Sequence, residues 1–359
     1  TTVTCERANF NENDDRLNLD GNVVIVDKDA TLRAPAGWYD RGTGEARLTG
    51  GVTGADKKQR IVANEAVYLR DSSMVRAYGQ VKGYDDENRT ELNAQRVDYD
   101  RRTRVSVATG DPVLKARDDD GRETLLSAQL LRVDAERKTA EAVDSVLVVR
   151  DTLRARADRA WFDDASGKGL LLGNPRAWDD ETVVVGDTLE LYAEKRKLRR
   201  VVVLGQASMD YVGRRETTVG ETSRLTGRRV DVFVSENRID SLLATGSARN
   251  AYSSPSKAGK THETNRADGD TILVLFKDKK IDRARVLGSA QGEYRPSVSE
   301  TDTVAIATEV IRYDGKVIEF IVPKDRIVLD GDAHLTYRDL ELNARKVTFD
   351  SKGQSLVAE

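Results

Sequence analysis

LNAQRVDYD, residues Leu92 to Asp100, decides how the chain is read. A leucine is followed two places on by alanine, then by two polar residues. Val97 and Tyr99 then alternate with polar residues, and an aspartate closes the phrase. It returns as LSAQLLRVD from Leu126, ARADRAWFD from Ala155, LNARKVTFD from Leu342 and IVANEAVYL from Ile61. Looser copies begin at Val3 (with Cys5 in the alanine seat), Leu32, Val184, Leu225 and Ala305, and a poor one lies around Asn265 to Ile272. Self-similarity at a fixed period is the signature of a repeat array.

A second marker stands between the phrases, a glycine followed two or three places on by a small or apolar residue. It occurs at Gly21, Gly51, Gly79, Gly110, Gly173, Gly205, Gly246, Gly288 and Gly331, with Asp144 once in the glycine's place. Markers recur about every thirty residues up to Gly205 and every 41 to 43 residues after it. The spacing predicts a regular array over 1–205 and a continuation with longer, less regular units over 206–359. The stretch from Tyr252 to Asp270, rich in Ser, Lys, Gly and Thr, predicts an extended, mobile loop near 252–270.

Each unit reads as two extended segments. Val23-Val24-Ile25-Val26 follows one marker, and the phrase supplies the other segment. β-branched and aromatic residues in alternation, punctuated by Gly, Asn and Asp, are the strand signal. Asp40–Gly44, Asp118–Gly121, Asp163–Gly167 and Asp350–Gly353 are turn material. Helical periodicity is nearly absent, so antiparallel strands joined by short turns follow.

The spacing inside the phrase adds a constraint. Leu92 and Ala94 share one strand face, as do Val97 and Tyr99, but the step from Ala94 to Val97 is odd. In a flat strand that step throws the second pair to the opposite face. A bulge or sharp bend in the phrase brings all four side chains back to one side. The expected architecture is all-β: an elongated, repetitive antiparallel β-jelly-roll of about ten to eleven two-strand units, forming a V-shaped, half-closed trough. Its inward set is Leu32, Ala34, Ile61, Ala63, Leu92, Ala94, Val97, Tyr99, Leu126, Ala128, Leu131, Val133, Ala157, Phe162, Leu189 and Leu191. Small seats mixed with aliphatic and aromatic residues fit both a groove for an apolar guest and a filled core.

Composition excludes several classes. Hydrophobic residues make up 38% of 359 and charged residues 33%, with 58 Lys plus Arg against 61 Asp plus Glu. Acid and base are interleaved, so no basic face argues for nucleic acid. No apolar run approaches the ~20 residues that span a bilayer as a helix. The one cysteine, Cys5, makes no intrachain disulfide. The first residues already lie inside a copy of the phrase, and the last stop where a glycine is due, which predicts a segment of a longer protein.

Catalytic chemistry is not foreseen. His262 and His334 have no plausible partner nearby in sequence and read as loop or strand-face residues. The run Asp118 to Asp120 before Gly121 lacks spaced calcium ligands and reads as a turn. Asp100, Asp134, Asp163 and Asp350 return at strand ends and read as turn formers rather than paired catalytic carboxylates. No enzyme activity, cofactor or metal is expected.

Gly79-Gln80-Val81, then Leu92 to Asp100, then Gly110, resembles the OstA-like repeat of lipopolysaccharide transport proteins, the LptA and LptD N-terminal domain type. Gly21 to Gly51 is nearly as close. The resemblance implies a periplasmic β-jelly-roll of a Gram-negative type envelope, near but not spanning a membrane, with a tether to the outer one as an option. It implies that acyl chains of lipopolysaccharide or a related lipid lie on the inward set and pass toward the outer membrane. It implies partners too: other transport-bridge components, or a second copy, joined through edge strands. Two competing expectations stand beside it. One is a structural or adhesive β-repeat with a filled core. The other, ranked last, is a β-helical glycan-active enzyme, which needs a carboxylate or basic cluster that the sequence lacks.

Overall fold

The computed structural model describes residues 2–12, 15–28, 30–214, 219–236, 238–255, 262–278, 280–295, 310–350 and 355–359. These residues form β strands and one 3-10 turn, Val322–Lys324. They divide into two compact units, Thr1–Gly173 with Glu194–Lys197 and Asn174–Ala193 with Leu198–Glu359. The expected all-β jelly-roll is what each unit contains: antiparallel strands, most of them paired with their sequence neighbours, the long ones bent near the middle.

The bend has one repeated cause. Thr90–Asp100 pairs with Met74–Asp85, but Tyr78 faces Arg96 while Val81 faces Ala94. Gly79 and Gln80 therefore stand together opposite Gln95. Both have left-handed backbone, with φ of 72° and 49°. An extra residue on one strand kinks it and increases its twist. Consecutive left-handed pairs recur at Gly21-Asn22, Gly50-Gly51, Gly110-Asp111, Asp144-Ser145 and Gly173-Asn174, then at Gly205-Gln206, Gly246-Ser247, Gly288-Ser289 and Gly331-Asp332. The second seat is polar in every pair but one, mostly Asn, Asp or Ser, whose short side chains tolerate this region.

Where the first seat is glycine, as in every named pair but Asp144-Ser145, there is a second reason. A Cβ on Gly79 would lie 2.7 Å from the Asn64 side chain, and one on Gly110 would lie 2.6 Å from Gln95. Asn64 and Gln95 each follow the alanine of the preceding phrase. The Gln95 N–H donates to the Gly110 carbonyl at 3.1 Å. The phrase and the marker are thus two halves of one joint. This corrects the expected location of the bulge. The phrase strand bends, but the extra residue sits on the neighbouring glycine strand, because glycine reaches φ > 0 without cost and the Ala-x-x segment does not.

In the first unit the bend creates two walls. One holds residues such as Val23, Ile25, Leu32, Ala34 and Val52; the other holds Leu19, Ala46, Leu48, Ala66 and Tyr68. These ten pack into one core cluster. On the phrase strand Leu92, Ala94 and Val97 are buried and Tyr99 half-buried, while Gln95 and Arg96 at the crease are both exposed. The odd step is therefore resolved with all four apolar side chains inward. Hairpin turns end both walls. The Asp100 carboxylate accepts the Arg102 N–H at 2.8 Å, and that of Asp163 accepts the Ala165 N–H at 3.0 Å. Asp134 does the same for Arg137 at 2.9 Å. These bonds lower the Asp100 and Asp163 pKa values, chiefly through the Arg102 N–H in one and the Ser166 hydroxyl in the other. All three are turn formers, as expected. The turn after Asp350 lies outside the described residues.

In the second unit the period lengthens because the strands do. Lys197–Arg214, Val219–Ser235, Arg238–Pro255, His262–Lys277 and Lys280–Arg295 run 16 to 18 residues. This corrects the loop expected near 252–270. Tyr252 pairs with Asn265, Ser253 with Thr264 and Glu263 with Ser254, because the Ser/Thr-rich sequence keeps the alternation of a strand. Residues 256–261 lie outside the described residues. The poor phrase around Asn265 is a regular copy with Gly269 in the alanine seat and Asp270 opposite Gly246-Ser247. The copy assigned to Ala305 falls partly outside the described residues. The strand Ile311–Ile321 carries the phrase instead, with Gly315 in the seat and Lys316 opposite Gly288-Ser289.

Candidate functional site: an apolar cavity between two walls

The first unit holds a half-open apolar cavity of about 120 Å3 between its walls. Ile25, Leu32, Ile61, Gly83, Leu92 and Leu114 line it from one wall, and Val75, Val97, Tyr99 and Val133 from the other. Strand pairing places Ile61, Gly83 and Leu92 side by side on adjacent strands. Charged and polar residues stand where the walls end: Asp27, Asp56, Arg60, Asp85 and Arg101. That space takes a short length of hydrocarbon while the walls stay as they are.

The cavity gathers six of the sixteen residues expected to face inward: Leu32, Ile61, Leu92, Val97, Tyr99 and Val133. Ala34, Ala63, Ala94 and Ala157 are buried but do not line it; their methyls fill the crease beside the left-handed pairs. Leu126 and Leu131 are packed into the core, and Ala128 and Phe162 are half-buried away from the cavity. In the second unit Leu189 is fully buried and Leu191 half-buried. The cavity residues that the phrase did not single out, Ile25, Val75, Val81 and Leu114, lie on the strands that flank the markers. Their alternation around the marker glycines was the available signal.

The rim carries an ionic cluster. Arg101 donates to the Asp27 carboxylate at 2.7 Å and to the Asp27 carbonyl at 3.2 Å. The Tyr68 hydroxyl donates to the same carboxylate at 2.8 Å. Burial, then the bond to Asp27, pushes the Tyr68 phenol up to about 12, so it stays a donor at any physiological pH. Asp56 and Asp85 are committed to their turns. Asp56 accepts the Lys58 and Gln59 N–H groups, and Asp85 accepts Gln59 and Asn88.

A smaller cavity, about 80 Å3, lies between the walls of the second unit. One side is apolar, with Val274, Ile281, Phe320 and Ile327; the other is polar, with Asn250, Tyr252, Glu263, Asn265 and Tyr294. Tyr294 donates to Glu263 at 3.0 Å, and burial raises the Glu263 pKa.

His334 sits between two carboxylates, Asp314 and Glu341, each 3.1 Å away on a neighbouring strand. These partners come from other strands, which sequence proximity could not reveal. They raise its pKa above the usual 6.5, Asp314 foremost. A raised folded value means the stabilisation is complete below 6.5 and is lost as pH rises through the folded value. His334→Gln should therefore lower the unfolding free energy of the second unit below pH 6.5 by less than about 1 kcal/mol, with the gap closing at alkaline pH. A gap that does not change with pH would contradict the assignment.

Among the described residues no group of three or more His, Cys, Asp and Glu is arranged to hold a metal ion. Among the described residues no helix is long and apolar enough to cross a membrane. No known protein family and no curated protein matches the sequence. Among solved structures the chain is similar to LptH from Pseudomonas aeruginosa, described as the LptA-homologous periplasmic component of the lipopolysaccharide transport device. The two share 17% identity with a TM-score of 0.29, over 38% of this chain and 82% of that one.

Proposed function

We propose that this chain is a periplasmic lipid conduit. It binds acyl chains of lipopolysaccharide or a related lipid in the hydrophobic groove of its first unit and passes them toward the outer membrane. The observation that carries this reading is the unfilled apolar space between the two walls, bounded by Leu32, Ile61, Leu92 and Val97 and rimmed by charge. Burial of hydrocarbon there is favourable by about 25 cal/mol per Å2, and a charged headgroup stays in water at the rim. The two walls are joined along a crease of paired left-handed residues, so the groove opens at the side away from it. Open edge strands would join the chain to other bridge components or to a second copy. No catalytic step is part of this reading.

Adjacent residues on one strand test it. A photo-crosslinking side chain at Ile61 faces the cavity, whereas one at Val62 faces solvent. Expressed in a Gram-negative periplasm, the Ile61 variant should capture a lipid and the Val62 variant should not. Equal capture at both positions would sink the proposal. A filled structural core is the second reading. It is favoured by the seamless packing of Leu126 and Leu131 and predicts no capture at either position.

A further inference from the structure

The groove of the first unit has two lips, formed by the hairpin turns that end its walls. One lip is made by the turns after Asp27, Ala55, Asp85, Arg117 and Arg150; the other by those after Asp40, Leu69, Asp100, Asp134 and Asp163 and by the turn Glu194–Lys197. Most ion pairs near the turns run along a single lip. Among the described residues, two sets of contacts run across. The first is the Asp27–Tyr68–Arg101 cluster, with Asp27 on one lip and Tyr68 and Arg101 on the other. The second joins Arg196 and Lys197 to the opposite lip. Arg196 donates to the Arg117 carbonyl at 2.7 Å, Arg150 donates to the Arg196 carbonyl at 2.6 Å, and Lys197 pairs with Asp120 at 2.5 Å.

The two sets differ in what lies behind them. Asp27, Tyr68 and Arg101 all line the apolar cavity, and no residue of the second set does. The second set fastens packed structure. The first closes the space that the proposed function needs open.

We infer that the Asp27–Tyr68–Arg101 cluster is a latch on the groove, and that an anionic single-chain amphiphile opens it by taking the place of Asp27 on Arg101. The inference rests on the conduit reading and specifies how, and for which ligands, the groove is loaded. Two guanidiniums line the cavity, those of Arg60 and Arg101, and Arg60 is paired with Asp86 outside it. Arg101 is the cation in reach of a headgroup whose chain lies on Leu92 and Val97. Carboxylates and phosphates match the fork of a guanidinium, so either head exchanges with the Asp27 carboxylate like for like. A neutral chain has nothing to offer Arg101 in exchange and meets a bridged lip. Loading is then lateral, across the lips, and selective for charge before any selection by chain length.

The test is stopped-flow binding of cis-parinaric acid, its methyl ester and a fluorescent lysophosphatidic acid to the full chain. Wild type should take up both acids at least about tenfold faster than the ester, because only the acids compete for Arg101. Asp27→Asn should abolish that difference by speeding the ester. Arg101→Gln should abolish it while weakening retention of the acids. Tyr68→Phe removes one hydroxyl and leaves the ion pair; it should speed the ester by about twofold to fivefold, a readout that survives if Asp27→Asn does not fold. The carboxylate and phosphate arms report which head Arg101 holds longer, and either order fits the latch. Equal acid and ester rates in wild type, or an ester rate unmoved in both Asp27→Asn and Tyr68→Phe, would overturn the latch while leaving the conduit standing. No uptake of any probe by any variant would overturn both.

Discussion

Replacing Asp118 with alanine is expected to destabilise the first unit by about 3–5 kcal/mol, the cost of breaking a buried ion pair from one side. The Asp118 side chain has no exposed surface, and its partner Arg150 is 11% exposed. The carboxylate accepts the Asp120 N–H at 3.0 Å, the Arg122 N–H at 2.9 Å and the Arg150 guanidinium at 2.5 Å. Alanine leaves two turn N–H groups unpaired. It also leaves a buried cation with only Thr124 and the Arg196 carbonyl as neutral acceptors. Asp118→Asn keeps the shape and part of the hydrogen bonding, and should cost about 1.5–3 kcal/mol.

The pH dependence follows from the direction of the shift. Burial opposes the charged form of Asp118, but the Arg122 N–H and Arg150 outweigh it and hold its pKa below the usual 3.8. A depressed folded value means the stabilisation is present above 3.8 and is lost as pH falls through the folded value. The gap between wild type and Asp118→Ala should therefore be full at pH 7 and shrink under acid. Because the chain has two compact units, its denaturation is not treated as two-state. The relevant readout is the first-unit transition, with that of the second unit unmoved. A loss below about 1 kcal/mol at pH 7 would show that Asp118 is a turn former and nothing more.

Much of this fold is legible in the sequence, for reasons visible at single positions. Leu92, Ala94, Val97 and Tyr99 announce the bend because a strand has a side-chain period of two and the phrase breaks it. Gly79 and Gly110 mark where the backbone turns left-handed. The strand carrying the extra residue was not legible from the phrase, since a register shift belongs to a pair of strands and sequence displays one at a time. The same limit hid the latch. Asp27 and Arg101 are 74 residues apart, and nothing local to either distinguishes them from the other turn residues. The stretch 252–270 reads as a loop in sequence, yet its described residues 252–255 and 262–270 are strand, because serine and threonine serve loops and solvent-facing strands alike. The candidate site was half legible. Leucines and valines of the phrase reach the cavity, whereas its alanines are consumed by the crease, a distinction set by distance from the bend and not by residue type.

Gly83 offers the second large effect. It lines the cavity between Ile61 and Leu92, and a Cβ added there would meet nothing nearer than 3.9 Å, at Leu92. Its backbone is not left-handed, so a side chain brings no strain. Gly83→Leu adds four carbon groups, a volume on the order of 100 Å3, into a space of similar size. Filling a void with hydrocarbon should raise stability by about 0.5–2 kcal/mol. The same change removes the room that an acyl chain needs. Stability and binding are therefore predicted to move in opposite directions, which a merely disruptive substitution cannot do.

The decisive measurement is a fluorescence titration of wild type and Gly83→Leu with cis-parinaric acid, paired with a thermal melt of each. The conduit account predicts saturable binding by wild type, an affinity lower by at least about tenfold in Gly83→Leu, and an equal or higher melting midpoint for the variant. Binding of equal affinity by both proteins would contradict it.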